Sequence, residues 1–278
     1  MTEPTSSEAR KSQIAREIRN DIEAGRLRPG DRLPSGRDLA AQWSVGLGTV
    51  NAALEQLSSE GLVVSRPRSG RVVADLAAMV GDKPRPARPR AVYIGGYAGS
   101  GKTEVGRTLA RETGWAMLDK DSITRSVVDA ALVQLGSTIA DRESKTYLEV
   151  VRPAEYQCLE ATVAENISCG VSAIATAPYL RELTSRSWLE RTAATLHSLG
   201  AGMSVIWIRC SGESMRSYIE RRGAARDTWK LANWDQYLEG VDEEFVPPWP
   251  HTLIKNNPTD EPIQAQVKSF LRSLEGVA

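Results

Sequence analysis

The chain has 278 residues, of which 41% are hydrophobic and 25% are charged, and its formal net charge is zero. This length and apolar content predict one large folded domain or two ordinary ones. The chain has no apolar run near the roughly 18 residues of a membrane helix, and its first residues lack the apolar core of a secretion signal, so we expect a cytoplasmic protein without membrane partners. The three cysteines are far apart in sequence and have no metal ligands nearby, which predicts buried free thiols: Cys158, Cys169 and Cys210.

A proline-rich basic stretch divides the chain into two parts of different class. Residues 76–90 contain three prolines among basic residues, which is typical of a linker. Short helices and a two-stranded unit precede this stretch, and apolar strands alternating with amphipathic helices follow it. We therefore predict two domains of different class, an α+β domain at residues 1–75 and an α/β domain at residues 91–278. Residues 1–90 carry 15 basic and 11 acidic side chains, a modest positive excess that fits a nucleic-acid partner or a solvated surface.

The pattern in the first part predicts a winged helix-turn-helix. Isoleucines at four-residue spacing in residues 14–22 form one helical stripe. Ser35 is a suitable N-cap for a second helix, and residues 50–57 carry the apolar positions of a third. Residues 62–73 then form two short strands that turn at Gly70, which is free to adopt a positive φ. This hairpin is the predicted wing.

The order of these motifs resembles the gluconate-operon-repressor (GntR) family of bacterial regulators across roughly residues 9 to 75. The motifs that carry the resemblance are Gly25-x-Leu-x-Pro-Gly30, Leu33-Pro-Ser35, Asp38-Leu-Ala40, Thr49-Val50 and Leu57-x-x-x-Gly61-Leu-Val63. The resemblance implies a homodimer that places two recognition helices in successive major grooves of double-stranded operator DNA. The residues expected to contact DNA by their position in the motif are Arg37, Thr49, Asn51, Arg66, Arg68 and Arg71.

One departure from the family pattern concerns the tip of the recognition helix. The family usually has a polar residue and an arginine there, whereas this chain has Gly46 and Leu47. The fold remains the expectation, but the operator sequence is not predicted. The alternative interpretation is a winged helix that serves protein interaction and carries merely solvated arginines.

The second part opens with a strand, a phosphate-binding loop and an amphipathic helix. Residues 96–103 satisfy the pattern G-x-x-x-x-G-K-[ST]. In such a loop the backbone N–H groups surround the β-phosphate, Lys102 bridges the β- and γ-phosphates, and the Thr103 hydroxyl binds Mg²⁺. The pattern predicts binding of ATP or a related nucleotide with Mg²⁺. The expected nucleotide-binding residues here are Gly96, Ala98, Gly99, Ser100, Gly101, Lys102 and Thr103.

Two carboxylates follow the next apolar strand. In a parallel sheet, ligands lie at the carboxyl ends of the strands, so Asp119 or Asp121 is expected to face the γ-phosphate. One carboxylate would help to hold Mg²⁺ while the other accepts a proton from a substrate hydroxyl. The alternative, which is compatible with these roles, assigns Asp121 to the N-cap of a helix. Farther along, Arg222 and Arg226 suit a lid over the phosphates, with a solvated basic face as the alternative.

Together these features resemble the P-loop small-molecule kinases, a group that includes chloramphenicol phosphotransferase, gluconate kinase, polynucleotide kinase and zeta toxins. The resemblance covers residues 91–278 and implies a five-stranded parallel sheet flanked by helices. It implies Asp121 as the base, and the other expected catalytic residues are Lys102, Arg222 and Arg226.

The third strand departs from the pattern of many P-loop proteins. Residues 171–178 end without an acidic residue for Mg²⁺. Metal binding is therefore expected at Thr103, Asp119 and Asp121. The resemblance also places Asn257 in the loop that often lies by the adenine.

Three functions fit these expectations. The first is a transcription regulator in which ATP occupancy changes operator binding. The second is a small-molecule kinase that phosphorylates a metabolite, antibiotic or nucleoside hydroxyl, with the DNA-binding domain controlling related genes. The third is a kinase that uses its winged helix only to dimerise.

Overall fold

The computed structural model describes residues 6–23, 26–27, 30–66, 70–74, 89–224 and 227–275. Most of the predicted linker lies outside these ranges, and so do the predicted site residues Arg68 and Arg226. Within the described ranges, no helix combines the length and apolar character needed to cross a lipid bilayer.

The front domain contains three helices and a two-stranded hairpin, as predicted. The helices are α1 (Ser6–Glu23), α2 (Gly36–Trp43) and α3 (Leu47–Ser59), and the strands are β1 (Val63–Arg66) and β2 (Gly70–Val73). The isoleucine stripe of α1 is buried against α3 in a single apolar cluster. The hairpin closes this cluster on one side, because Val63 and Val73 are paired across the two strands and both are buried.

Local sequence signals set the ends of α2. Ser35 is its N-cap and forms a reciprocal capping box with Asp38, whose N–H donates to the Ser35 hydroxyl while the Asp38 carboxylate accepts from the Ser35 N–H, both at 3.2 Å. Ser44, with a φ of 50°, ends the helix in the left-handed conformation. The turn between α2 and α3 is therefore encoded locally.

The back domain is a parallel sheet covered on both faces by helices. The strands are β3 (Arg90–Gly95), β4 (Ala116–Asp119), β5 (Ala173–Thr176), β6 (Gly202–Arg209) and β7 (Thr252–Lys255), and they lie in the order β4-β5-β3-β6-β7. The helices are α4 (Lys102–Thr113), α5 (Lys120–Gln134), a π-helical turn (Tyr147–Val151), α6 (Arg152–Ser168), α7 (Arg186–Ser198), α8 (Gly212–Arg222), α9 (Thr228–Ala232), α10 (Trp234–Glu239) and α11 (Ile263–Glu275). The predicted five-stranded parallel sheet is confirmed.

The central strand explains why the sheet is covered on both faces. In β3, Ala91 and Tyr93 face a cluster with α6 and α7, whereas Val92 and Ile94 face a cluster with α4 and α11. Because both faces of a parallel sheet are buried, residues 91–94 of β3 are apolar at consecutive positions rather than at alternate ones. The chain runs from β3 to one side of the sheet and later returns to β6 on the other side, which opens a crevice at the carboxyl end of β3.

The prediction for the cysteines is wrong in part. Cys210 is buried, but Cys158 and Cys169 are exposed. Cys158 lies on the outer face of α6, and Cys169 follows the end of that helix. The apolar character of cysteine favours burial, but Cys158 is on an exposed face of α6 and Cys169 is exposed at the C-cap of that helix.

Candidate functional site

The phosphate-binding loop lies in the crevice between β3 and α4. Gly99 and Gly101 have φ values of +81° and +99°, a region that glycine adopts without strain. A Cβ at Gly99 would lie 2.6 Å from the Met215 carbonyl oxygen, so the surrounding structure leaves no room for a side chain there. The N-terminus of α4 begins at Lys102, and its first N–H groups have no partners within the helix. These features are those of an anion-binding loop.

Lys102 is held in a position suited to bind phosphate. Its Nζ donates to the Tyr97 carbonyl oxygen at 2.7 Å, which curls the side chain back over the loop. Burial and, to a lesser extent, the nearby positive charge of Arg222 lower the pKa of Lys102 to about 8, against the opposing effect of Asp121 and Asp119. A partly buried ammonium with a depressed pKa lacks sufficient negative charge around it, and phosphates would supply that charge.

An oxygen cluster lies directly beside the loop. The Asp119 carboxylate accepts from the Thr103 hydroxyl at 3.2 Å and from the Thr176 hydroxyl at 2.8 Å. Asp119 ends β4, Thr176 ends the neighbouring strand β5, and Thr103 lies in the first turn of α4. The structure therefore brings together two of the three predicted metal ligands. Hydroxyl and carboxylate oxygens suit Mg²⁺, which takes few protein ligands and completes its shell with water and phosphate.

The N-cap of α5 is Asp119 rather than Asp121. The Ser122 N–H donates to the Asp119 carboxylate at 3.0 Å, and Asp121 lies in the first turn of the helix. The alternative that made Asp121 the cap is therefore wrong, because β4 passes into α5 at Lys120 without an intervening turn. This geometry fixes Asp119 through its cap bonds and leaves Asp121 beside the cavity.

A buried ion-pair network next to Asp121 is absent from the sequence predictions. Lys120 Nζ lies 2.6 Å from Glu155 and 3.1 Å from Asp121. Glu155, on α6, also accepts from the Tyr147 hydroxyl at 2.7 Å and from the Thr124 hydroxyl at 3.0 Å. Lys120 and Glu155 are 5% and 3% exposed, which makes this an interior pair that joins α5 to α6. The network sets the direction of α5 and with it the position of Asp121.

The two arginines that end α8 point to different partners. Arg222 is bound to the buried carboxylate of Asp227 at 2.6 and 3.0 Å and lines the same cavity as Lys102. Arg221 instead forms an ion pair with Glu17 of α1 and lies over the ring of Trp43 at 4.7 Å. The predicted lid residue Arg222 thus lies by the phosphate loop, whereas its neighbour contacts the front domain.

The loop after β7 contacts the phosphate loop through Asn256. The Asn256 side-chain amide donates to the Ser100 carbonyl oxygen at 2.9 Å, and the residue is 4% exposed. Asn257, the predicted nucleotide contact, instead has its side-chain oxygen on the Ser211 N–H at 2.9 Å. The sequence places this loop beside the nucleotide only because the loop follows the last strand. That position does not distinguish Asn256 from Asn257.

One cavity of about 1060 Å³ connects these elements. It extends from the phosphate loop past Asp119 and Asp121 to a wall of aromatic and basic side chains, among them Tyr147, Arg152 and Trp229. Drug-sized ligands occupy cavities of roughly 300–1,000 Å³. This cavity is therefore large enough for a nucleoside triphosphate and leaves further space beside Asp121.

On the front domain, the N-termini of α2 and α3 and the wing converge. Arg71 of β2 donates to the Asn51 side-chain oxygen of α3 at 3.4 Å. A Cβ at Gly36, the first residue of α2, would lie 3.6 Å from that same oxygen. Arg37 and Arg66 are exposed, and Thr49 is partly exposed. The structure therefore places Asn51 and Arg71 together, while Leu47 is 45% exposed at the start of α3.

Two family profiles match the chain. The profile of bacterial regulatory proteins of the gntR family matches residues 10–73. An AAA domain profile matches residues 92–243. The two matches lie on either side of the predicted linker.

Individual relatives resemble one part of the chain each. The uncharacterized HTH-type transcriptional regulator YdcR of Escherichia coli is 43% identical over 65 residues, which are 23% of this chain and 14% of that relative. Shikimate kinase of Moorella thermoacetica is 31% identical over 108 residues, which are 37% of this chain and 58% of that enzyme. The chain thus spans only a minor part of the first regulator and somewhat over half of the kinase.

Among solved structures, the APS kinase CysC of Mycobacterium tuberculosis aligns with 68% of this chain and 99% of its own, at 20% identity and a TM-score of 0.46. A gluconokinase from Sinorhizobium meliloti aligns with 69% of this chain and 99% of its own, at 12% identity and a TM-score of 0.43.

Proposed function

The chain belongs to the AAA domain family through residues 92–243 and carries a gntR-type DNA-binding segment at residues 10–73, and on that premise we propose that it is a transcription regulator with a nucleoside triphosphate as its effector. ATP is the proposed nucleotide, and its occupancy changes the affinity for operator DNA. The proposal includes a homodimer, because GntR-type DNA-binding domains read paired half-sites. It also includes a cytoplasmic location.

The observation that carries this proposal is the state of Lys102. A partly buried ammonium with a pKa near 8 lies over a glycine loop at a helix N-terminus. Its surroundings favour the binding of a polyanion, since bound phosphates would offset the cost of burying its charge. The front domain, which is the DNA-binding head of the chain, contacts the back domain through α1. This contact gives nucleotide occupancy a physical route to the DNA-binding head.

The residues that would hold Mg²⁺ are Thr103 and Asp119, with Asp121 at the edge of the cavity. When bound, the cation neutralises phosphate charge. Thr176 orients Asp119 by donating to its carboxylate, so one oxygen of Asp119 keeps its position in the cluster. Arg222 and Lys102 line the same cavity and provide positive charge there.

Titration calorimetry of the full chain with ATP, ADP and GTP in the presence of Mg²⁺ tests nucleotide binding. We expect binding in the micromolar range that is lost in Lys102→Ala. Thr113→Ala, on the last turn of the same helix, is the matched control, because its hydroxyl bonds only within the helix and its terminus. Equal binding by Lys102→Ala and the wild type would contradict the assignment of the loop.

A second candidate function is phosphoryl transfer to a small hydroxyl compound. The observation that favours it is Asp121, which lies in the cavity beyond the phosphate loop and is held 3.1 Å from Lys120. A carboxylate placed there is suited to accept a proton from an acceptor hydroxyl. Release of ADP during a screen of hydroxyl-bearing metabolites tests this function, and Asp121→Asn should abolish any turnover found.

A further inference from the structure

The strand order determines where the nucleoside end of a bound nucleotide lies. Asp119 and Thr176, at the ends of β4 and β5, mark the γ-phosphate side of the phosphate loop. A triphosphate that runs from there along the loop places its sugar and base on the opposite side of β3, among the segments that follow β6 and β7. The segment after β7 abuts the phosphate loop through Asn256.

Helix α1 of the front domain already forms hydrogen bonds with four oxygens of that segment. Arg16 donates to the Asn257 carbonyl, to the Asp260 carbonyl at 2.6 Å, to the Glu261 carbonyl at 3.3 Å and to the Asn256 side-chain oxygen at 3.2 Å. Arg16 is only 3% exposed. These four oxygens are acceptors of the kind that would receive a hydrogen bond from the amino group of a base, and one guanidinium contacts all four.

The front domain also binds the helix that flanks the phosphates. Glu17, one residue after Arg16, pairs with Arg221, and Trp43 of α2 packs against the same guanidinium. Arg221 immediately precedes Arg222, which lines the same cavity as Lys102. The docked head therefore contacts both walls of the nucleoside side, the segment after β7 and the end of α8.

This interface leaves polar atoms unsatisfied. Among the described residues, Arg16 Nε and the Asn20 side-chain oxygen are buried without a hydrogen-bond partner, and so are both carboxylate oxygens of Glu23. All three residues lie on α1. A buried polar group without a partner destabilises the contact that buries it, so this contact is weaker than its number of bonds suggests. An interface of this kind is suited to open when a competitor arrives.

We propose that Arg16 is an internal competitor of the nucleotide base, so that nucleotide binding displaces α1 and releases the DNA-binding head from the back domain. The inference rests on the proposed function, namely that the loop binds a nucleotide. It adds a direction, because the docked head and the bound base exclude each other. By linkage, every contact that stabilises docking weakens nucleotide binding.

The test compares nucleotide affinity in Arg16→Ala with that in Arg19→Ala, using the full chain and MgAMP-PNP. Arg19 lies on the same helix but pairs with Glu60 within the front domain, at 2.7 Å, and serves as the matched control. We expect binding about tenfold tighter in Arg16→Ala and unchanged in Arg19→Ala. Glu17→Gln, which removes the pair with Arg221 at the rim of the interface, should shift affinity in the same direction.

Hydrogen exchange measures whether α1 separates from the back domain, which nucleotide affinity alone does not measure. MgAMP-PNP should increase amide exchange in residues 10–23 of the wild type, because α1 loses its contact with the back domain. Equal affinities of Arg16→Ala and the wild type would overturn this inference and leave nucleotide binding standing. Weaker binding by Arg16→Ala, or protection of α1 by nucleotide, would also overturn it and make α1 part of the base site. Absence of binding by the wild type and all variants would overturn the proposed function as well.

Discussion

Nucleotide affinity should depend on pH through Lys102. Burial brings the pKa of this side chain to about 8 in the free protein, and the negative charge of bound phosphates favours its protonated form. The pKa is therefore higher in the complex than in the free protein. Affinity is at its full value below pH 8 and decreases as pH rises through 8 and above. At pH 9 about one tenth of the free protein carries the charged ammonium, so binding should be about tenfold weaker than at pH 7, or about 1.4 kcal/mol.

Titration calorimetry measures this effect directly. Dissociation constants for MgATP from pH 7 to pH 9 give the slope, and buffers of different ionisation enthalpy give the proton uptake, which should reach about half a proton per nucleotide at pH 8. Lys102→Met removes the titrating group and should bind weakly, with little pH dependence. A wild-type affinity that stays constant over this range, or the same slope in Lys102→Met, would refute the role of Lys102.

Three further predictions concern other sites. If the back domain transfers phosphate, Asp121→Asn should lower ADP formation at least about a hundredfold while leaving the Kd for ATP within about twofold, and a coupled assay that finds equal rates would exclude Asp121 as the base. Arg71→Ala should weaken binding to all DNA sequences alike and reduce the salt slope by about 1 in fluorescence anisotropy, and an unchanged slope would argue against phosphate contact. Burial raises the pKa of Glu23 from 4.5 to about 8, so the folded state binds the extra proton and stability should fall as pH rises from about 4.5 to about 8. Glu23→Gln should lack this decline in Tm, and a parallel decline would show that another group causes it.

Local signals allowed the fold and the phosphate loop to be predicted from sequence. The capping box at Ser35 and the glycine pattern of residues 96–103 each act within a few residues, so the sequence pattern determines their geometry. The sheet was predictable because its central strands β3 and β6 contain runs of consecutive apolar residues. Asp119 and Asp121 were recognised by their position after such a strand.

The parts of the site that the sequence did not predict depend on long-range contacts. Lys120 and Glu155 are separated by 35 positions in the chain, and neither motif nor spacing indicates that they form a buried pair. Arg16 and Asn257 are 241 positions apart, and their contact depends on how two domains meet. At the end of β5 the sequence indicates only that an acidic residue is missing. It does not indicate that the hydroxyl of Thr176 orients Asp119.

The most direct test of the central claim is the effect of nucleotide on DNA affinity. Fluorescence anisotropy of the full chain on DNA selected from a random pool, with and without saturating MgATP at constant free Mg²⁺, measures the coupling. The account predicts a change in Kd of at least about fivefold for the wild type and none for Lys102→Ala, since effector and operator must influence each other through the same coupling free energy. Identical DNA affinity with and without MgATP, in a protein shown to bind the nucleotide, would contradict it.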